Sequence, residues 1–425
     1  MNTLTIKLKQ HTPLIHFQHD QEGATLRASE VKPKLDRFIL SKLSLEEKEK
    51  GKKEGWIRSK NDKVWLDYKM RILAQDVNIE YMLASYINPD RIKALNHQGI
   101  KVVSNTPFFA QEKQNNQILK SEKPREDWNK IEKKGILAQN DITIIIISPK
   151  VSLLSTVSRL IQSFFIVTNF GTRQSKGFGC FSPKRITLDG RLIALENVET
   201  LLKQHFSFVY KKSLSHSPIE SILSTINEDY RLLKSGCTRP YAKSKLMLYA
   251  ENLDSNVGWD KKYIKVNTND VFPNKDGDNY LLKCRKENIR VSYSEKDSYR
   301  YLRALLGLAE QYEFLLENPP LGDSRNKMIV KVLNNDIQRY QSPLLFKVIE
   351  NTIYLVGNEV SPDMLDKPFH FYVNFQNDSG YSNEPVDEND NPIYTPSFFS
   401  LRNFLSFAMH DNTNGQSLGY ITFKG

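Results

Sequence analysis

The sequence predicts an α+β protein in which helices lie on antiparallel sheets, arranged as two domains. Three observations carry this reading. The amino terminus alternates with a strand period, a nearly unbroken isoleucine run precedes an amphipathic helix in mid-chain, and a helix–loop–strand order recurs in the second half. The chain has 425 residues, enough for two or three domains, and 39% of them are apolar. That share lies below the ~45–50% of typical soluble domains, yet it suffices for sizeable cores and excludes collagen-like, mucin-like or wholly disordered chains.

Residues 4–17 alternate Leu4, Ile6 and Leu8 against Thr5, Lys7 and Lys9, the pattern of a half-buried strand. After a turn-rich stretch at 19–25 a helix is expected. Ser29 is its N-cap, Glu30 suits the positive end of its dipole, and Pro33 falls near enough to the start to cost little. Val31, Leu35, Phe38 and Ile39 make its apolar face, while Arg27, Lys32, Lys34 and Arg37 line other sides. The Lys/Glu-rich residues 44–63 are expected to form a mobile insertion, and 111–134 a second polar one. Residues 65–74 read as a strand and 78–95 as mixed helix and loop.

The isoleucine run at 141–148 suits a buried central strand, which Pro149 ends. Leu153, Leu154, Val157, Leu160, Ile161, Phe164 and Phe165 then fall on one helix face. A glycine-rich loop follows, then a strand at 180–188, so the first domain is placed at 1–195 and the second at 196–425. In the second, 298–316 is expected to be a helix with Leu302, Leu305, Leu306 and Ala309 on one side. Residues 328–333 and 342–356 read as strands, the latter folded back at Glu350 and Asn351. Residues 376–395 read as an acidic loop, and the aromatic tail at 398–423 is expected to pack back onto the domain.

A formal net charge of +11 points to a polyanionic partner, either nucleic acid or an anionic membrane surface. The apolar runs at 142–148 and 161–167 are far shorter than the ~20 residues of a spanning helix, so no membrane partner is expected. No secretion signal is read at the amino terminus. Cys180, Cys237 and Cys284 are far apart and outside CxxC spacing, which suits reduced thiols and a cytoplasmic location. No cofactor and no metal are expected.

The most informative segment is Gly171-Thr172-Arg173-Gln174-Ser175-Lys176-Gly177-Phe178-Gly179. Its glycines permit close approach of backbone to a ligand, its successive N–H groups can form an anion-binding nest, and Arg173 and Lys176 add charge at the same place. It is neither a P-loop nor a dinucleotide fingerprint, because the helix precedes the loop and the strand follows it. A plain C-cap and connecting turn would use the same residues. Phe178 is read as core rather than as a stacking platform. The cations of 26–37 track a phosphate backbone or simply form a solvated helix face. Arg339, ahead of Ser342-Pro343-Leu344, contacts phosphate or pairs with a carboxylate. His11, His16, His19 and Asp20 cluster in sequence, but residues 11 and 16 of one strand point to opposite faces, which argues against a shared metal site.

Together these segments resemble the RAMP superfamily of CRISPR-associated RNA-binding proteins. The resemblance rests on Thr12-Pro13-Leu14, on Leu26-Arg27-Ala28-Ser29 continuing through Lys32 and Leu35 to Arg37, and on the Gly-x-Arg-x-x-x-Gly-Phe-Gly loop. Leu306-Gly307-Leu308 and Arg339-x-x-Ser342-Pro343-Leu344 are similar to the type III-B (Cmr) effector subunit at the guide-RNA 3′ end. The likeness covers roughly residues 1–43, 141–190 and 298–357.

It implies two ferredoxin-like, RRM-like domains with polar insertions. It also implies a noncatalytic RNA-binding subunit of a type III CRISPR RNA-guided effector, whose partners are guide RNA and/or target RNA and other effector subunits. Carried over by position, Arg27, Lys32, Lys34 and Arg37 lie on the RNA-facing helix. Gly171, Arg173, Lys176, Gly177 and Gly179 form the phosphate-contacting loop, and Arg339 is the second-domain counterpart. Pro33 departs from the glycine more usual in the family.

The alternative within the superfamily is an endoribonuclease that processes CRISPR repeat RNA or cleaves target RNA. Asp20 lies in the loop region where backbone subunits carry a target-aligning Asp, and His16 or His19 would serve as general acid or base. A third reading is a structural partner of other defence proteins with little RNA contact.

Overall fold

The structure, a computed structural model, describes residues 2–16, 25–74, 79–84, 101–103, 133–238, 241–269, 298–315, 327–377, 380–387, 389–411 and 417–422. Contacts divide the chain into two compact units. One comprises Met1–Glu228, Leu345–Gly357 and Tyr420–Gly425, and the other Asp229–Leu344 and Asn358–Gly419.

In chain order the elements are β1 (Asn2–Gln10), β2 (Leu14–Ile15), α1 (Ala28–Lys42), α2 (Leu45–Lys53), β3 (Ile57–Lys60), β4 (Lys63–Leu66), β5 (Lys69–Leu73), β6 (Ile79–Ala84), β7 (Lys101–Val103), β8 (Lys133–Ala138) and β9 (Ile142–Ser148). Next come α3 (Val151–Val167), β10 (Phe181–Leu188), β11 (Arg191–Ile193), α4 (Val198–His205), β12 (Phe208–Ser213) and α5 (Ile219–Lys234). They continue as β13 (Cys237–Thr238), β14 (Tyr241–Ala242), α6 (Lys245–Leu253), β15 (Val257–Trp259), α7 (Asp260–Asn269), β16 (Ser298–Arg300), β17 (Gln311–Leu315) and β18 (Lys327–Leu333). The last are β19 (Leu344–Ile349), β20 (Thr352–Gly357), β21 (Pro368–Asn377), β22 (Gly380–Pro385), β23 (Ile393–Tyr394), α8 (Leu401–His410) and β24 (Ile421–Thr422).

The first sheet has the order β11-β10-β1-β9-β5 and is antiparallel throughout. The chain visits it as β1–α1–β5–β9–α3–β10, with the last strand beside the first, which is the ferredoxin-like split βαβ arrangement. Period-2 alternation explains the placement of β1. Leu4, Ile6 and Leu8 are fully buried against Val31, Leu35 and Ile39 of α1 and Leu153, Val157 and Ile161 of α3. The isoleucine run is central, but only one of its faces is fully buried: Ile142, Ile144 and Ile146 face the core, while Thr143, Ile145 and Ile147 are half-buried on the other side.

A second antiparallel sheet in the same unit has the order β19-β20-β12-β24. In chain order its strands run β12–β19–β20–β24, so the last strand again lies beside the first. The same strand order therefore occurs twice. Leu201 and Leu202 of α4 and Ile166 of α3 join Val209, Tyr354 and Val356 of this sheet in a second apolar cluster.

The other unit contains a sheet of order β15-β16-β23-β21-β18-β17, with β22 paired to β21. Its centre holds Tyr301 edge-on to Phe369 and Phe371, with ring centroids 4.9 and 5.0 Å away. The buried Arg303 pairs with Asp260 at 2.5 Å and lies 3.6 Å over the ring of Tyr312. The aromatic tail forms α8, whose Phe404 packs 5.7 Å from the ring of Tyr249.

Several expectations are corrected. The N-cap of α1 is Arg27 rather than Ser29, which lies inside the first turn, and Pro33 is inside the helix. Residues 44–63 form α2 and most of a hairpin rather than a mobile insertion. Ser44 and Glu47 make a reciprocal capping box, and Asn61 and Asp62 adopt the positive φ values that turn β3 into β4. Residues 65–74 split into parts of two strands around Asp67 and Tyr68. Where 78–95 is described, it is the strand β6. The stretch 111–132 lies outside the described residues. Residues 298–316 are no helix: β16 and β17 flank a single buried 3₁₀ turn, Leu302–Leu306, closed by Gly307 at φ 107°. The expected acidic loop at 376–395 contains the end of β21 and all of β22 and β23. No described helix is long and apolar enough to cross a membrane.

Lys347 on β19 has no exposed surface, and its Nζ donates to Phe165 O (2.7 Å), Thr168 O (3.1 Å) and Asn169 Oδ1 (3.2 Å), closing the C-terminal end of α3. Burial lowers its pKa to about 8. Lys347→Met should destabilise the protein by about 1–3 kcal/mol in urea unfolding at neutral pH, because it strands three buried acceptors. Between about pH 8 and the unfolded-lysine value near ~10.4 the unfolded chain holds more protons, so wild-type stability rises with pH there. The variant should lack Lys347's share of that rise.

A candidate nucleic-acid interface

The glycine-rich loop leaves the end of α3 and returns as β10, and Asn169 ties its two ends together. The Asn169 Nδ2 donates to Gln174 O (2.7 Å) and Phe346 O (2.9 Å), while Oδ1 accepts from Lys347 and from the Cys180 thiol (3.3 Å). Phe346 N donates to Ser175 O at 3.1 Å, so the loop is fastened to β19 along its outer limb. On its inner side Thr172 N donates to Ile15 O (2.7 Å), Gly179 N to Pro13 O (2.9 Å) and Cys180 N to Thr12 Oγ1 (2.9 Å).

Two glycines are required by this docking. Gly171 and Gly179 have φ of 76° and 64°, and a Cβ would collide with the Ile15 carbonyl oxygen at one and the Phe170 carbonyl oxygen at the other. The amide of Gly171 donates to Glu30 Oε1 at 2.8 Å. A carboxylate of the protein therefore sits where the first amide of an anion nest would meet a phosphate. Gly177 is buried beside Ile226. Phe178 is 1% exposed and belongs to the core.

Arg173 and Lys176 are half-buried on this loop. Burial lowers the pKa of Arg173 to about 10. Burial first, and then the charge of Arg173, lowers Lys176 to about 8.

Helix α1 meets the loop through Glu30, which also accepts from Lys34 Nζ at 3.3 Å, and Lys34 lies 4.9 Å over the ring of Phe170. Lys34, Arg37, Phe38, Ser41, Phe164 and Thr168 line a shallow groove. Arg37 is exposed, and its Nε donates to Pro33 O at 3.2 Å. Arg27 at the helix start has a buried Nη2 without a hydrogen-bond partner among the described residues.

Lys32 faces a different way. It donates to Asp36 (2.8 Å) and Leu66 O (2.9 Å) and lies 4.1 Å over the ring of Tyr68, whose hydroxyl donates to Asp36 at 2.7 Å. Burial and the Asp36 charge push the Tyr68 hydroxyl pKa up.

Among the remaining candidates, Arg339 lies in the other unit, exposed, with Nη2 3.7 Å from Glu310. His11 is neutral: burial lowers its pKa to about 3, Nδ1 accepts from Glu350 N at 3.0 Å, and Nε2 then donates to Ser182 Oγ at 2.7 Å. His16 is buried, and His19 and Asp20 lie outside the described residues. No group of three or more His, Cys, Asp or Glu among the described residues could hold a metal ion.

Sequence reasoning missed Glu30, Asn169 and Lys347 as organisers of the loop. The available signal was Lys347 itself, a lone cation in the otherwise apolar strand Leu344–Ile349.

A ferredoxin-like sheet whose second helix runs into a glycine-rich, cation-bearing loop, with the same strand order repeated in a second sheet, defines a RAMP-type protein. Residues 1–237 match the Cmr1 N-terminal domain and residues 241–422 the Cmr1 C-terminal domain. The chain belongs to the Cmr1 family. No curated protein matches its sequence. Among solved structures it is similar to the crystal structure of Cmr1 from Pyrococcus furiosus in its apo form, at 10% identity and a TM-score of 0.35 over 96% of each chain. It is also similar to a chain of the type III-B Cmr-beta complex bound to cognate target RNA, at 13% identity and a TM-score of 0.27. That match covers 44% of this chain and 60% of the other.

The different settings of two α1 cations are directly testable. Lys32→Met should cost about 1–3 kcal/mol in urea unfolding, because it leaves Asp36 buried beside Tyr68 without its cation. Arg37→Met, at an exposed position, should stay within about 0.5 kcal/mol of wild type.

Proposed function

We propose that the chain is a noncatalytic RNA-binding subunit of a type III CRISPR RNA-guided effector complex. In this reading it contacts guide RNA and/or target RNA through Arg27, Lys34 and Arg37 of the α1 region and Arg173 and Lys176 of the glycine-rich loop. Its other partners are effector subunits, and it acts in the cytoplasm. The two functional domains are residues 1–195 and 196–425. The proposed boundary falls in the connection between β11, ending at Ile193, and α4, starting at Val198, while contacts keep both sheets in one unit.

Family membership supports the reading, and one observation carries it: Arg173 and Lys176 are brought together half-buried, with both pKa values lowered. A phosphate placed against them would receive charge-assisted hydrogen bonds from both side chains. The loop backbone is largely committed to protein acceptors, so the side chains make the contact.

Binding of a fluorescent single-stranded RNA across a salt series tests this. Arg173→Ala with Lys176→Ala should weaken binding about tenfold at low salt and flatten the log–log salt slope by about 0.7 per lost phosphate contact. Equal affinity and slope for wild type and double variant would remove the loop from the interface. Wild-type affinity should also fall as pH rises through about 8, where Lys176 gives up its proton, and Lys176→Arg should abolish that fall.

A further inference from the structure

The first sheet has a second face, turned away from α1 and α3, and strand register shows what it displays. One cross-strand row reads Lys69, Ile147, Thr3; the next Arg71, Ile145, Thr5, Thr187, Leu192; the third Leu73, Thr143, Lys7, Arg185. Lys7, Lys69, Arg71 and Arg185 are all exposed, and no carboxylate pairs with any of them among the described residues. The two carboxylates at the margins are already engaged. Asp141 holds Lys184 at 3.0 Å, and Asp189 Oδ1 accepts from Thr3 N at 2.7 Å.

We propose that this face, which carries no helix among the described residues, binds the sugar–phosphate backbone of a single-stranded nucleic acid, independently of the loop and α1. Lys7 and Arg185 are direct partners on adjacent strands inside the sheet, where like charges facing each other are destabilising. Lys69 and Arg71 on the edge strand β5 would also serve to block edge-to-edge pairing, but that role does not extend to the interior pair. An external polyanion accounts for all four.

The rest of the face favours backbone contact over base stacking. It carries no aromatic ring in these rows, whereas threonine hydroxyls at 3, 5, 143 and 187 lie between the cations, able to donate to phosphate oxygens or ribose. Half-buried Ile145 and Ile147 form an apolar floor. The centre of the face also lacks the aromatic, Met or Leu anchors of a protein interface, since Leu73 and Leu192 sit at its opposite margins.

The test uses the full chain with Lys7, Lys69, Arg71 and Arg185 all changed to Thr, a uridine 20-mer RNA and its deoxyuridine equivalent. The variant should bind RNA about tenfold more weakly at low salt, with a salt slope lowered by about 0.7 per lost contact. It should keep the affinity loss through about pH 8 that belongs to Lys176, which separates this surface from the loop. Its thermal midpoint should be no lower than wild type, since a repulsive pair has been removed. Weakening for both strands alike supports a phosphate contact alone, and greater weakening for RNA supports ribose reading by the threonines. Wild-type affinity and slope for both strands would overturn the proposal. So would unchanged RNA binding together with loss of a protein neighbour from the reconstituted assembly, which would assign the face to protein docking.

Discussion

The first unit depends on a buried knot at the end of α3, where Lys347, Asn169 and Cys180 converge. Lys347 supplies donors to the open carbonyls of the helix, and Asn169 accepts from it while donating to β19 and to the far limb of the loop. Cys180 adds a weaker link, accepting from Val348 N at 3.3 Å. Burying an ammonium group is costly, and three well-placed oxygens are what make it tolerable. Through this knot the glycine-rich loop is fastened to a strand of the second sheet. The segment that looks most like a flexible ligand cradle is therefore among the most constrained in the unit.

That constraint changes how the loop can act. A nest works by offering unsatisfied amides to an anion, but here Gly171, Thr172, Gly179 and Cys180 donate to Glu30, Ile15, Pro13 and Thr12. The glycines permit dense packing of backbone on backbone. On that fixed base the loop holds two half-buried cations, Arg173 and Lys176. The same logic separates the cations of α1. Lys32 is consumed by Asp36 and Tyr68, whereas Lys34 and Arg37 border a groove. Elsewhere Lys245 is buried against Asp411 and Arg303 against Asp260. A net charge of +11 therefore overstates the surface available to a polyanion, because part of the basic complement is internal.

Local periodicity made much of the fold legible. The alternation of β1, the isoleucine strand, the apolar face of α3 and the 344–357 hairpin with Glu350 at φ 53° follow from neighbours a few residues apart. Composition misled where a local device outweighed it, as in α2, whose charged sequence hides a capping box. It misled again at 298–316, where helical leucine spacing yields to strand pairings with partners distant in sequence: β16 with Val257–Trp259 and β17 with Lys327–Leu333. The site was legible as residue types and not as roles. Nothing within a few residues of Lys32 indicates that Tyr68 will lie beneath it, and nothing near Gly171 indicates that Glu30 will occupy its amide.

The repeated strand order also locates where the two sheets differ. In the first, the charged loop joins the last helix to the last strand, α3 to β10. In the second, residues 411–420 precede the last strand, β24. That segment contains Gly415 and Gly419, the latter at φ 67°, but no Lys or Arg, and its Asp411 carboxylate is engaged by Lys245 at 2.7 Å. Arg339 precedes β19 and so occupies a different topological position from Arg173. The second sheet thus shares the strand order and has a left-handed glycine, Gly419, two residues ahead of its last strand, but no Lys or Arg stands in that segment of the sequence.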